Sequence, residues 1–197
     1  REAQSLASSQ SNILLATMIL GNLGGALGYL GRHEEALSTF REALTLSESR
    51  AWDKGVAYNC LNIGDSLLKL DQIQEAHGYL ERAVAIFKRI GDDEGAGLAL
   101  GTLGDDLTRS REWTAAQKAL EEADSCFVRT GDQFRRGLIQ CSWGRYFEAR
   151  DDRPAATLAL SKARALAQRL GTAGQSYLEL QIKELETEMQ LKSSEQI

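Results

Sequence analysis

The sequence predicts an all-α array of repeated helix pairs, and three observations carry that prediction. Six residue columns recur every 40 positions without an inserted residue. Inside each unit the apolar residues fall at helical spacings of 3, 4 and 7 and do not alternate, as in Leu20, Leu23, Leu27 and Leu30. No segment carries a strand pattern, and the single proline, Pro154, stands where a helix would begin.

The columns are specific. Gly24, Gly64, Gly104 and Gly144 form one. Leu23, Ile63, Leu103 and Trp143 precede them, and Leu27, Leu67, Leu107 and Phe147 follow three residues later. Ala36, Ala76, Ala116 and Ala156 form another column, with Phe40, Leu80, Leu120 and Leu160 four residues on. Ala43, Ala83, Ala123 and Ala163 complete the set. A glycine inside a helix costs about 1 kcal/mol relative to alanine, so four at one phase imply a packing requirement. The expected cause is close approach of the glycine-bearing helix A to the alanine-bearing helix B of the same unit.

The units follow in order. Arg1-Glu2-Ala3 matches Arg41-Glu42-Ala43 at the same period, so residues 1–11 read as the end of a preceding unit and the chain as part of a longer one. Repeat 1 is 12–50, repeat 2 is 51–90, repeat 3 is 91–130 and repeat 4 is 131–170. The turn inside each unit is expected near Gly31, Asp71, Arg111 and Asp151. Between units, Gly91, Gly131 and Gly171 suit the left-handed residue that closes a helix. Asp92, Asp132 and Thr172 follow and can cap the next one. Residues 171–197 form a C-terminal capping helix and tail, helical over 174–191, with Leu178, Ile182, Leu185 and Met189 on one face. The glycine column there falls on Glu184 and the column before it on Lys183, so no further unit can pack and the outer face is polar. Ser193 to Ile197 read as a frayed tail.

Composition excludes several classes. With 43% hydrophobic and 26% charged residues, the chain is no disordered segment. No run of 18 apolar residues marks a transmembrane helix, so no membrane partner is expected. A net charge of −5 argues against direct nucleic-acid binding. Cys60, Cys126 and Cys141 are scattered and odd in number, which fits reduced thiols and a cytoplasmic location, with Cys141 the most accessible. His33 and His77 are isolated surface residues, and no metal-ligand spacing occurs. The glycine clusters around Gly21–Gly28 and Gly95–Gly101 follow no strand and lack the Gly-Lys-Ser/Thr ending of a phosphate loop. Trp52, Trp113 and Trp143 fall at different phases and make no cofactor box. No cofactor and no enzymatic activity are expected.

The combined columns, Leu23-Gly24 on helix A with Ala36, Phe40 and Ala43 on helix B, resemble the tetratricopeptide repeat over residues 12–191. The unit is 40 residues long where that family usually has 34, a variety similar to Leu-Gly-Asn-type adaptors and to bacterial signalling regulators. The resemblance implies a right-handed superhelical solenoid whose helices A line a concave groove that holds an extended or helical partner segment. By phase, that groove would present Met18, Gly21, Gly25, Gly28 and Tyr29 in repeat 1, and Tyr58, Leu61, Asp65, Leu68 and Lys69 in repeat 2. Repeat 3 would add Leu98, Gly101, Asp105, Thr108 and Arg109, and repeat 4 Leu138, Cys141, Arg145, Glu148 and Ala149.

Two groove features point to a partner. Gly21, Gly25 and Gly28 make a bare stripe that admits a partner helix or bulky side chain, unless neighbouring helices fill it. Asp65 and Asp105, with Asp106 adjacent, sit among Tyr58, Leu61, Leu68 and Leu98. They suit a peptide with basic and apolar residues, or else pair with Lys69 and Arg109 four residues on. Chaperone-binding members clamp a carboxylate with Lys, Asn and Arg at these positions. Here Gly21, Gly25, Leu61, Asp65, Gly101 and Asp105 stand in most of them and only Asn62 matches, so that ligand is not expected. The expected function is a protein-interaction scaffold or regulatory module. The alternative is a ligand- or peptide-sensing domain of a larger bacterial signalling ATPase or transcription regulator.

Overall fold

A computed structural model describes the backbone of residues 2–171 and 177–194 and the side chains of 13–171 and 177–191. The described residues form helices and turns only: α1 (Glu2–Tyr29), α2 (His33–Ser49), α3 (Asp53–Lys69), α4 (Ile73–Ile90), α5 (Asp93–Arg109), α6 (Trp113–Thr130), α7 (Gln133–Ala149), α8 (Arg153–Leu170) and α9 (Tyr177–Ser194). The architecture is the expected all-α repeat of helix pairs. The chain divides into two compact units, Arg1–Ala99 and Leu100–Ile197, with the boundary inside α5.

Left-handed backbone marks every described turn at one period. Gly31, Asp71, Arg111 and Asp151 have φ of 74°, 59°, 61° and 60°, at the expected turn positions. Between the pairs, Ala51, Gly91, Gly131 and Gly171 have φ of 48°, 70°, 72° and 65°. Asp92 Oδ1 accepts from the Gly95 N–H at 2.9 Å, and Asp132 Oδ1 from the Arg135 N–H at 2.9 Å, so both aspartates cap as expected. Thr172, residues 174–176 of the predicted last helix and 195–197 of the tail lie outside the described residues, whereas Ser193 and Ser194 are still helical.

In the first unit, α1 packs on α2, α2 on α3 and α3 on α4. The alanine columns lie wholly inside: Ala36, Ala43, Ala76 and Ala83 are all fully buried. The reason for the glycine column differs from close backbone approach. A Cβ on Gly24 would stand 2.6 Å from the Phe40 ring, and one on Gly64 2.7 Å from Leu80. The large side chain of helix B therefore lies across the glycine of helix A. A buried hydrogen bond from Asn59 Nδ2 to Ser47 Oγ, 3.1 Å long, ties α3 to α2.

In the second unit, Gly104 meets Leu120 in the same way. Gly144 departs from the pattern: the side-chain atoms nearest to a Cβ placed there belong to Leu185 of α9. Leu178, Ile182, Leu185 and Met189 are buried against α7 and α8, in one core with Leu160, Ala163 and Phe147. Trp143 is half-buried, stacked on Phe147 with centroids 5.4 Å apart and edge-on to Tyr146.

One expectation meets a different local structure. The period places a turn near residue 11, but α1 runs unbroken from Glu2 to Tyr29. Ser11, Asn12 and Leu15 stand where the next junction has Ala51, Trp52 and Gly55. There the Trp52 ring lies directly over Gly55 and anchors the break, and Leu15 leaves no such seat.

Candidate functional site

The wall of the first unit begins on α1, whose sequence holds no charged residue from Ala3 to Gly31. Two adjacent stripes of α1 are open to solvent. Leu15, Ile19, Leu23 and Leu30 form one, all exposed. Their equivalents on α3 include Asn59, bonded to α2, and the fully buried Ile63. The second stripe is the predicted groove. Met18 is 53% and Tyr29 93% exposed, and a Cβ added at Gly21, Gly25 or Gly28 would meet nothing within 4 Å. No neighbouring helix among the described residues fills the bare stripe.

On α3 the predicted residues separate by depth. Asp65 and Lys69 are exposed, whereas Leu61 and Leu68 are buried in the core. Asp65 and Lys69 make no ion pair with each other, so the expected spacing leaves both charges in solvent. Tyr58 is half-buried with its ring edge-on to Phe87 at 4.8 Å, and Lys54 Nζ lies 5.7 Å from its centroid.

The wall of the second unit is more occupied. Gly101 is buried, with Ile139 Cδ1 2.9 Å from where a Cβ would be. Asp105 and Leu98 are half-buried, Arg109 and Ala149 exposed, and Asp106, Thr108 and Glu148 buried. Glu148 accepts from Arg153 Nη1 at 2.5 Å. Leu138 packs against the core shared with α9. Arg145 is held by α9: its Nη2 donates to Gln181 Oε1 at 2.8 Å and lies 3.6 Å from Glu184, and its Nε lies 3.4 Å from Glu188. The periodicity carries no sign of these α9 partners.

Cys141 was expected to be the most accessible thiol and is instead buried at 1% exposure. Burial pushes it up to about 12, with Arg145 opposing, and pushes Cys60 up to about 11. The cause is α9, which covers this face of α7. Such thiols are inert packing groups, not nucleophiles. Among the described residues no group of His, Cys, Asp and Glu could hold a metal ion. No helix among them is long and apolar enough to cross a membrane.

Comparison with known proteins agrees with this architecture. Residues 19–50 and 53–123 each match a family model described as tetratricopeptide repeat. The crystal structure of BtubC (BKLC) from P. vanneervenii superposes with a TM-score of 0.68 at 19% identity, over 83% of this chain and 68% of that one. At that identity the likeness concerns the fold alone. No curated protein matches. Across residues 19–50 and 53–123, this chain therefore belongs to the tetratricopeptide repeats.

Proposed function

We propose that this chain is a protein-interaction module whose helix A wall in the first unit holds an extended or helical partner segment. Tetratricopeptide repeats generally mediate protein–protein interaction and are typically non-catalytic scaffolds, which supports the class. The observation that carries the site is the open stripe of α1, where Met18 and Tyr29 flank three glycines with free space above them. An apolar patch of this kind on a soluble helix favours a protein contact. Backbone without side chains lets a partner approach closely. Asp65, exposed and without an ion-pair partner on its own helix, favours basic residues next to the apolar anchors. In the second unit, Asp105 and Arg109 offer a smaller contact, because Arg145 is committed to α9.

The test is a fluorescence-anisotropy screen of peptides combining Lys or Arg with Leu or Phe. Saturable binding that Gly25→Leu weakens at least tenfold, with helicity unchanged by circular dichroism, supports the reading. Equal affinity in wild type and Gly25→Leu removes the stripe from the site.

A further inference from the structure

The first unit holds a hollow of about 280 Å³ at the junction of its first three helices. Ile13, Leu14 and Thr17 of α1 form one side. Leu46, Ser47 and Arg50 at the end of α2, with Trp52 before α3, form the other. One period later the junction is built differently. Phe87, at the position of Ser47, is fully buried there, with its ring against Gly95 and Tyr58. Ion pairs seal that seam: Lys54 Nζ to Asp92 Oδ2 at 2.9 Å and Arg89 Nη1 to Asp53 Oδ2 at 2.8 Å. In the first junction, Ile13, Leu14 and Trp52 stand in place of Asp53, Lys54 and Asp92, and Ser49 in place of Arg89. The seat over the junction glycine is held there by the Trp52 ring in place of the Phe87 ring, and the ion-pair seal is missing.

The interior of the hollow is chemically apolar. The Ser47 hydroxyl donates to the Ala43 carbonyl at 2.9 Å and accepts from Asn59. The Thr17 hydroxyl donates to the Ile13 carbonyl at 2.9 Å. Neither therefore calls for a polar ligand atom. Trp52 supplies an aromatic wall, seated over Gly55. Among the described lining residues Arg50 is the one charged group; it is exposed and makes no side-chain ion pair with any described residue.

We propose that this hollow binds a single apolar ring joined by a short chain to a carboxylate, the ring beside Trp52 and the carboxylate on Arg50. Size sets the ring count. A dry apolar cavity of about 150 Å³ takes one benzene, and drug-sized ligands need roughly 300–1,000 Å³, so the hollow fits one ring and its linker. The planar guanidinium matches a carboxylate with two parallel hydrogen bonds. Its place at the rim leaves the carboxylate partly hydrated, so desolvation stays small. The ligand is either a free arylalkanoic acid or the carboxyl-terminal phenylalanine of a chain.

Proton–nitrogen correlation NMR of the whole chain tests this, with hydrocinnamate, N-acetyl-Gly-Gly-Phe and the carboxamide of each as probes. Saturable shifts of the Trp52 indole and the Leu14 and Ser47 amides are expected with at least one acid. Binding of hydrocinnamate alone identifies a free acid as the ligand, and binding of the peptide identifies a chain end. Arg50→Gln should weaken the acid at least fivefold and leave the amide unchanged. Because Arg50 is a surface residue, that variant keeps its fold. Ser47→Phe should place a ring in the hollow, since Trp52 already holds the seat over Gly55, and abolish the shifts. Absence of saturable shifts with both acids overturns the proposal, as does binding that Arg50→Gln leaves unchanged.

Discussion

The Leu80 side chain occupies the space that a side chain on Gly64 would need: a Cβ there would lie 2.7 Å from Leu80 Cδ2 and 3.4 Å from the Ala76 carbonyl oxygen. Helix α4 thus rests on α3 through a leucine laid across a glycine, and Leu80 is fully buried in consequence.

Gly64→Ala should therefore destabilise the chain although alanine is the better helix former. Overpacking costs about 1–3 kcal/mol, against a propensity gain of about 1 kcal/mol. In a Leu80→Ala background the same substitution should become neutral or stabilising, because the methyl group then has room. Urea denaturation of the four members of the cycle measures the coupling.

The turns offer a test in the opposite direction. Ala51 holds φ at 48° in the place where the later junctions have glycine. The left-handed conformation costs an ordinary residue about 1–2 kcal/mol, so Ala51→Gly should raise the thermal midpoint. Gly91→Ala, at φ 70°, should lower it by a similar amount.

Asp132 makes stability depend on pH. Burial works to raise its carboxyl and is outweighed by the Arg135 backbone N–H and guanidinium, so it titrates below the ordinary aspartate range. A carboxyl depressed in the folded state contributes stability above its unfolded value, near pH 4, and loses it as pH falls through the folded value. Asp132→Ala should cost about 1 kcal/mol at neutral pH through loss of the cap. Its difference from wild type should shrink below about pH 4, which denaturation at stepped pH will read.

The thiols should be silent in the native state. Cys60, Cys126 and Cys141 are all buried, and burial raises Cys60 and Cys141 to about 11 and about 12. A thiol reagent at neutral pH should label none of the three until denaturant is added. Removing α9 should make Cys141 the first to react, since that helix covers it.

The wall of α3 carries a charge prediction. Asp65→Lys should weaken a basic, apolar peptide several-fold at low salt and much less at high salt, because an exposed charge is screened. Affinity unaltered at every ionic strength would place the contact elsewhere.

The helix pairs, their turns near Asp71 and Arg111 and the left-handed Gly91 were legible in the residue order, whereas the left-handed backbone of Asp71 and Arg111 was not. Helix periodicity and a strict repeat are local properties of the chain. The buried face of α9 was legible for the same reason. Depth was not. Leu61, Gly101 and Cys141 share a phase with exposed positions of other helices, and what packs over each decides whether a ligand can reach it. Arg145 looked like a groove residue until Gln181, Glu184 and Glu188, at least 36 positions away, closed on it. The hollow beside Trp52 is lined from α1 and from the end of α2, segments about 30 positions apart in the chain. Phase along a helix specifies direction, whereas burial depends on which distant side chains arrive there, and packing in three dimensions alone decides that.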